Sequence, residues 1–226
     1  MERISDKNYI PTFQDKIRCH KSNYTDKTRI FCTENYENKT IKIHDVGMVY
    51  EKRKWEYSFG QDSPIIFFTS LTEYFTDMVD YFNDSNDTTS QQWFSYYDFT
   101  NIKTEFSHKH HILILSKYDV FQKEFQNHDI SKYIPEFNGN PLSENDVLEF
   151  IIFKQTEGID IKKLNIFVTN LTDSDEFDIL MNDIENIALG NSMKEKVKII
   201  RKKIIFNYEE FMKKFNRFTE INFSFE

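Results

Sequence analysis

Three largely apolar runs of buried-strand type constrain this chain more than any other feature. They are Pro64–Ser70 (PIIFFTS), His111–Leu115 (HILIL) and Leu164–Thr169 (LNIFVT). A strand with one wet face alternates apolar and polar residues. A run without that alternation is covered on both faces, as in a parallel sheet between two layers of helices. The segments between the runs carry helical spacing. Gln91–Phe106 places Trp93, Tyr96, Tyr97 and Thr100 at helical intervals, and Ser174–Leu189 has the apolar set Phe177, Leu180, Met181, Ile184 and Ile187. Ser143–Lys154 reads as a helix with Ser143 as N-cap and Asp146 in the third helical position, close to a capping box. Upstream, Thr28–Thr33 and Thr40–Val46 flank the turn Asn35-Tyr36-Glu37-Asn38 and predict an antiparallel hairpin. Asp45-Val46-Gly47 ends its second strand, and Glu51–Phe59 reads as a short charged helix.

Alternating strands and helices of this kind define an α/β fold with a mainly parallel sheet. The core is unusually aromatic, with 23 Phe and 12 Tyr. A net charge of −8 argues against a general nucleic-acid binder, which needs clustered cations to neutralise phosphates. Cys19 and Cys32 lack metal-ligand spacing and make a poor disulfide framework, so a reducing cytoplasm is expected. The start MERISDKNYI has no apolar signal segment, which gives the same expectation. His108-Lys109-His110-His111 superficially suggests a metal site, but neighbouring strand residues face opposite ways, and the stretch reads as a solvated loop. Beyond Ser192, Val197, Ile200, Ile204, Tyr208, Phe211 and Phe215 recur at steps of three and four, predicting an amphipathic helix. Lys194, Lys196, Lys198, Arg201, Lys202 and Lys203 crowd its first half. They read either as a solvated face or as a surface for anionic lipid or an acidic partner.

Four segments in order carry a resemblance. Tyr9-Ile10-Pro11-Thr12-Phe13-Gln14-Asp15 is followed by Asp45-Val46-Gly47 with Glu51-Lys52-Arg53-Lys54-Trp55. Next comes ILILSKYDVF (Ile112–Phe121), which continues into Tyr133-Ile134-Pro135-Glu136-Phe137-Asn138-Gly139 and Glu149-Phe150-Ile151. Last is Val168-Thr169-Asn170-Leu171-Thr172-Asp173. Together they resemble the heterotrimeric G-protein alpha subunit family: the approach to switch I, switch II with its helix, the guanine-reading Asn-Lys-x-Asp, and the loop before the last helix. The resemblance implies a Ras-like, P-loop-GTPase-type three-layer sandwich, truncated at the N-terminus so that the first strand, P-loop and first helix are missing. Residues 1–190 would form this domain and residues 191–226 a basic amphipathic extension. The missing strand is central in the family's sheet, so the extension is expected to cover part of the gap.

By resemblance, GTP or GDP with Mg2+ is the ligand. Ser116, Lys117, Asp119, Thr169, Leu171 and Thr172 would form its base site, and Asp45 would approach the metal through water. Asp119 would accept from guanine N1 and N2 donors, and the Leu171 backbone N–H would meet O6. Asp119 could equally cap the turn that follows its strand. A phosphate-binding loop, G-x-x-x-x-G-K-[ST], is not found, since no pair among Gly47, Gly60, Gly139, Gly158 and Gly190 has its spacing. The transition-state Arg aligns with His20, the magnesium-binding Thr with Asn23 and the water-orienting Gln with Met48 or Val49, so binding is expected to be weak and no catalytic residue is assigned.

Two functions follow from the same residues. One is a guanine-nucleotide-linked signalling protein of GTPase lineage. The other is a non-catalytic module that binds G-protein beta–gamma, effectors or regulators through Lys52, Lys54 and Trp55. These three residues read equally as part of an ordinary amphipathic helix with the Trp in the core. A location in the cytoplasm, with contact to the inner face of the plasma membrane through the basic tail, fits both functions. A third reading is a fragment of a longer product.

Overall fold

A computed structural model describes residues 29–32, 42–45, 63–75, 106–191 and 197–200. The chain divides into two compact units, Met1–Phe59 and Gly60–Glu226. In the first, β1 (Arg29–Cys32) pairs antiparallel with β2 (Lys42–Asp45), Arg29 opposite Asp45 and Cys32 opposite Lys42. The two strands of the expected hairpin therefore pair, while its turn at 35–38 lies outside the described residues. The helices expected at 51–59 and 91–106 lie outside the described residues, except for Phe106, which is in a turn.

The second unit holds a parallel sheet in the order β3-β4-β5-β6. β3 is Ile65–Ser70, β4 His111–Ser116, β5 Leu164–Val168 and β6 Val197–Ile199. The first three are the apolar runs read from the sequence. Successive side chains of a strand point to opposite faces, and both faces here are apolar. Leu113, Leu115, Leu164, Ile166 and Val168 enter one core cluster; Ile112, Ile114 and Phe167 enter the other.

The first cluster is covered by α1 (Tyr118–Glu124) through Tyr118 and Phe121, and by α2 (Glu144–Thr156) through Val147, Leu148, Phe150, Ile151 and Ile152. The second is covered by α3 (Ser174–Ala188), whose Leu180 and Ile184 are buried, with Met181 and Ile187 partly so. Phe177, expected in the apolar set, is 39% exposed. Helices on both faces of a parallel sheet make this unit a three-layer α/β sandwich.

At its start the tail departs from its expected helix, whose remaining span, 201–215, lies outside the described residues. Residues 197–199 are a strand, pairing parallel to β5 with Val197 opposite Ile166 and Ile199 opposite Val168. Ile200 continues the ladder, its N–H donating to Val168 O at 3.0 Å. Val197 and Ile199 join the α2-side cluster while Ile200 joins the α3 side. β-branched residues suit such a position. Pairing with β5 also satisfies the backbone while burying both faces, whereas a surface helix buries one stripe. Residues 197–199 thus lengthen the sheet beyond β5, at the opposite end from β3. Lys198 does not join a free basic face, because its Nζ lies 2.6 Å from Asp183 Oδ2 of α3.

The histidine-rich stretch is a loop up to His110, as expected, but it is only partly solvated and ends in β4. Lys109 and His111 are buried, while His108 is exposed. Packing at the start of β4 wins over polarity here: His111 Nε2 donates to Phe106 O at 3.1 Å, and His110 Nε2 to Asn165 Oδ1 at 2.7 Å. Burial lowers the His111 pKa to about 4, with the Phe106 bond opposing that shift.

Candidate functional site

Ligands of open parallel sheets sit beyond the carboxyl ends of the strands. At that end β4 runs into Ser116-Lys117-Tyr118-Asp119, and Lys117 turns the chain with φ 59° and ψ 37°. It is the non-glycine residue of positive φ among those described. A left-handed conformation costs an L-residue roughly 1–2 kcal/mol, so surrounding contacts hold it there. Phe121 N–H donates to Lys117 O at 2.9 Å, and Tyr118 N–H reaches Thr169 O across the sheet at 3.4 Å. The Tyr118 ring is buried in the α1–α2 cluster and its hydroxyl donates to Glu144 Oε1 at 2.5 Å. Burial, and then this bond, push its pKa up, so it stays a donor.

Asp119 follows in the first turn of α1, half-buried. Its carboxylate makes no hydrogen bond among the described residues, and the helix start has no side-chain cap. The capping role that the sequence left open is not the one it plays. Ser116 is occupied differently: its hydroxyl donates to Thr69 O at 2.8 Å, stitching the end of β4 to β3.

The neighbouring loop leaves β5 at Thr169, whose N–H donates to Leu115 O at 3.0 Å. Glu176, in the first turn of α3, accepts the Thr169 hydroxyl at 2.9 Å and the Asn170 N–H at 2.8 Å through one oxygen. Asn170 Oδ1 in turn accepts the Thr172 N–H and hydroxyl, and Asp173 N–H closes on Asn170 O. Asp173 caps α3, accepting from Asp175 and Glu176 N–H. Among the backbone donors of residues 169–173, one is left over. The Leu171 N–H has no acceptor among the described residues, while the Leu171 side chain packs on the α3-side cluster.

The structure therefore brings Ser116, Lys117, Asp119, Thr169, Leu171 and Thr172 to one end of the sheet, on two loops tied by the Tyr118–Thr169 and Thr169–Leu115 bonds. Among the groups there without a hydrogen-bond partner among the described residues are a carboxylate that accepts, on Asp119, and a backbone N–H that donates, on Leu171. Asp45 closes β2, and its side chain lies outside the described residues, as do Lys52, Lys54, Trp55, His20, Asn23, Met48 and Val49. Glu176, Asn170, Tyr118 and Glu144 were missed by sequence reasoning. Asp173-x-x-Glu176 is a capping-box spacing and would have marked Glu176, although its carboxylate reaches back beyond the cap residue.

A parallel sheet between two helical layers, with paired loops after β4 and β5, defines a Ras-like GTPase-type fold. The model of the family described as "G-protein alpha subunit" matches residues 1–188, and the chain belongs to that family. It is 28% identical over 200 residues to the guanine nucleotide-binding protein alpha-2 subunit of Kluyveromyces lactis, covering 86% of this chain and 34% of that protein. It is 30% identical over 181 residues to the alpha-6 subunit of Caenorhabditis elegans, covering 79% and 48%. With the alpha-2 subunit of Schizosaccharomyces pombe it shares 25% over 198 residues, covering 86% and 54%. The chain thus spans about half the length of these relatives or less.

Proposed function

We propose that this chain is an alpha-subunit-like protein of guanine-nucleotide-linked signalling that retains a base-reading corner, binds nucleotide weakly and acts mainly by protein contact. One observation carries the base reading: the Asp119 carboxylate and the Leu171 N–H, neither with a hydrogen-bond partner among the described residues, stand on the two loops at the same end of the sheet. Guanine presents a C6 carbonyl acceptor beside N1–H and a 2-amino donor. A carboxylate answers the two donors and a backbone N–H answers the carbonyl, whereas adenine offers a donor at position 6 and meets a mismatch. A site built to hydrogen-bond a base selects against one whose donors and acceptors are reversed.

Phosphate and metal chemistry have less to stand on. These 226 residues contain no G-x-x-x-x-G-K-[ST], so no backbone cradle of that type can be assigned. Asp45 is the residue that would face Mg2+ through water. His20 stands where the resemblance places an Arg worth about 10³–10⁵ in rate, and Met48 or Val49 where it places a water-orienting Gln, so hydrolysis by this polypeptide is very slow or nil. Switch II of the family answers to the γ-phosphate. With little phosphate binding, the segment carrying Lys52, Lys54 and Trp55 serves as a constitutive surface for beta–gamma, effector or regulator proteins.

The test of the base reading is competition between GDP and ADP on the wild type and on Asp119→Ala. Each tenfold is about 1.4 kcal/mol, and a hydrogen bond to a charged group contributes about 1.5–3 kcal/mol. Wild type should prefer GDP by at least about tenfold, and Asp119→Ala should lose the preference. Equal affinity for GDP and ADP in the wild type would refute it.

A further inference from the structure

The same helix-start motif occurs twice in this unit, and the comparison isolates what one copy does beyond starting a helix. In the first copy, Asn140 N–H donates to Asp146 Oδ2 (3.0 Å), Leu142 N–H to Asn140 Oδ1 (3.0 Å) and Ser143 N–H to Asn140 O (3.0 Å), with Ser143 capping α2. In the second, Asn170 N–H donates to Glu176 Oε2 (2.8 Å), Thr172 N–H to Asn170 Oδ1 (3.0 Å) and Asp173 N–H to Asn170 O (3.1 Å), with Asp173 capping α3. The acid three residues after the cap plays the same part in each. The residue after the Asn takes no part in the bonding. In the first copy it is Pro141, which has no N–H. In the second it is Leu171, which keeps one.

The motif therefore does not need a donor at that position, and the Leu171 N–H is surplus to starting a helix. We propose that Glu176 is a positioning residue that sets this N–H for a 6-oxo acceptor, making the loop select 6-oxopurines. This rests on the base reading under Proposed function. The second copy also has a bond that the first cannot make: Glu176 Oε2 accepts the hydroxyl of Thr169, a residue with 0% exposure, where the first copy has Gly139. One carboxylate oxygen thus anchors the loop to the end of β5 on one side of Leu171, while Asp173 anchors it to α3 on the other. Removing the carboxylate leaves the Asn170 N–H and the buried Thr169 hydroxyl without their common acceptor. The Asn170 N–H must then find another acceptor, and the neighbouring Leu171 N–H shifts with it.

The test uses the 226-residue chain with GDP and with 6-thio-GDP, which keeps both donors opposite Asp119 but carries a weakly accepting sulfur at position 6. Wild type should bind GDP more tightly than 6-thio-GDP. Glu176→Ala should weaken GDP about five- to tenfold, the share of one hydrogen bond, and bring the two ligands level. Glu176→Gln keeps an oxygen for both donors and should restore the preference. Asp146→Ala, the same change in the other copy, should leave the preference alone. Equal weakening of both ligands by Glu176→Ala, or no weakening, overturns the proposal. Should wild type bind neither ligand, the base reading fails and this proposal with it; if wild type does bind, identical amide exchange at Asn170 in wild type and Glu176→Ala overturns the positioning role alone.

Discussion

Ile199→Ala separates a strand from a helix in the tail by its magnitude. In the strand, Ile199 is 4% exposed and packs in the α2-side cluster with Val168 and Val197. In the helix suggested by the spacing of Val197, Ile200 and Ile204, position 199 falls outside the apolar set. The substitution removes three carbons; at about 0.8 kcal/mol each, transfer alone gives about 2.4 kcal/mol. The cavity left among Val168, Val197 and their neighbours adds to this, for a loss of about 2–4 kcal/mol. A domain of ordinary stability has about 5–15 kcal/mol to lose, so the urea midpoint should fall well outside error with an unchanged slope. Ile200 N–H, bonded to Val168 O, should exchange slowly in the same protein. A loss under about 0.5 kcal/mol, the size of a surface change, would show that residues 197–199 do not belong to the sheet.

Three further outcomes follow from particular contacts. His111 has a folded-state pKa of about 4 against an ordinary 6.5, so the unfolded chain takes up the proton first as pH falls. Its contribution is full above pH 6.5 and is lost as pH drops toward 4. The thermal midpoint of wild type should fall over that window more steeply than that of His111→Gln, and parallel curves would refute this. Asp173→Ala removes the cap that accepts from Asp175 and Glu176 N–H, and should cost about 1–2 kcal/mol by denaturant titration. At Gly139 an added Cβ would lie 2.8 Å from Phe137 Cζ and 3.2 Å from Asp146 Cβ. The Phe137 ring is held edge-on against Phe150 at 5.1 Å, so Gly139→Ala should cost about 1–3 kcal/mol; a neutral result would mean the ring moves freely.

The central strands were legible because burial on both faces leaves a largely apolar run, and IIFF, HILIL and LNIFV could hardly sit elsewhere. The start of α2 was legible for a local reason, since Ser143 bonds Asp146 N–H within one turn. The tail was not, because Val197, Ile199 and Ile200 satisfy a period of two and a step of three equally well. Only the open edge of β5, a tertiary fact, decides between them. His111 misled for a related reason: its polarity suggested solvent, while its place at the start of a covered strand buries it. In the site, Asp119 could be named from the pattern Ser-Lys-Tyr-Asp, but the pattern says nothing about whether its carboxylate is already used. Glu176 looked like any acid in a first turn, and its reach back to Thr169 and Asn170 depends on how the loop folds over β5.

The measurement that tests the account most directly is an equilibrium titration of a fluorescent GTP analogue into the purified 226-residue chain, with and without magnesium. A base corner acting without a phosphate cradle should give saturable, guanine-selective binding weaker than micromolar, about 8 kcal/mol or less, and magnesium should leave it unchanged. Submicromolar affinity that depends on magnesium would contradict the account and mark the chain as a working nucleotide switch.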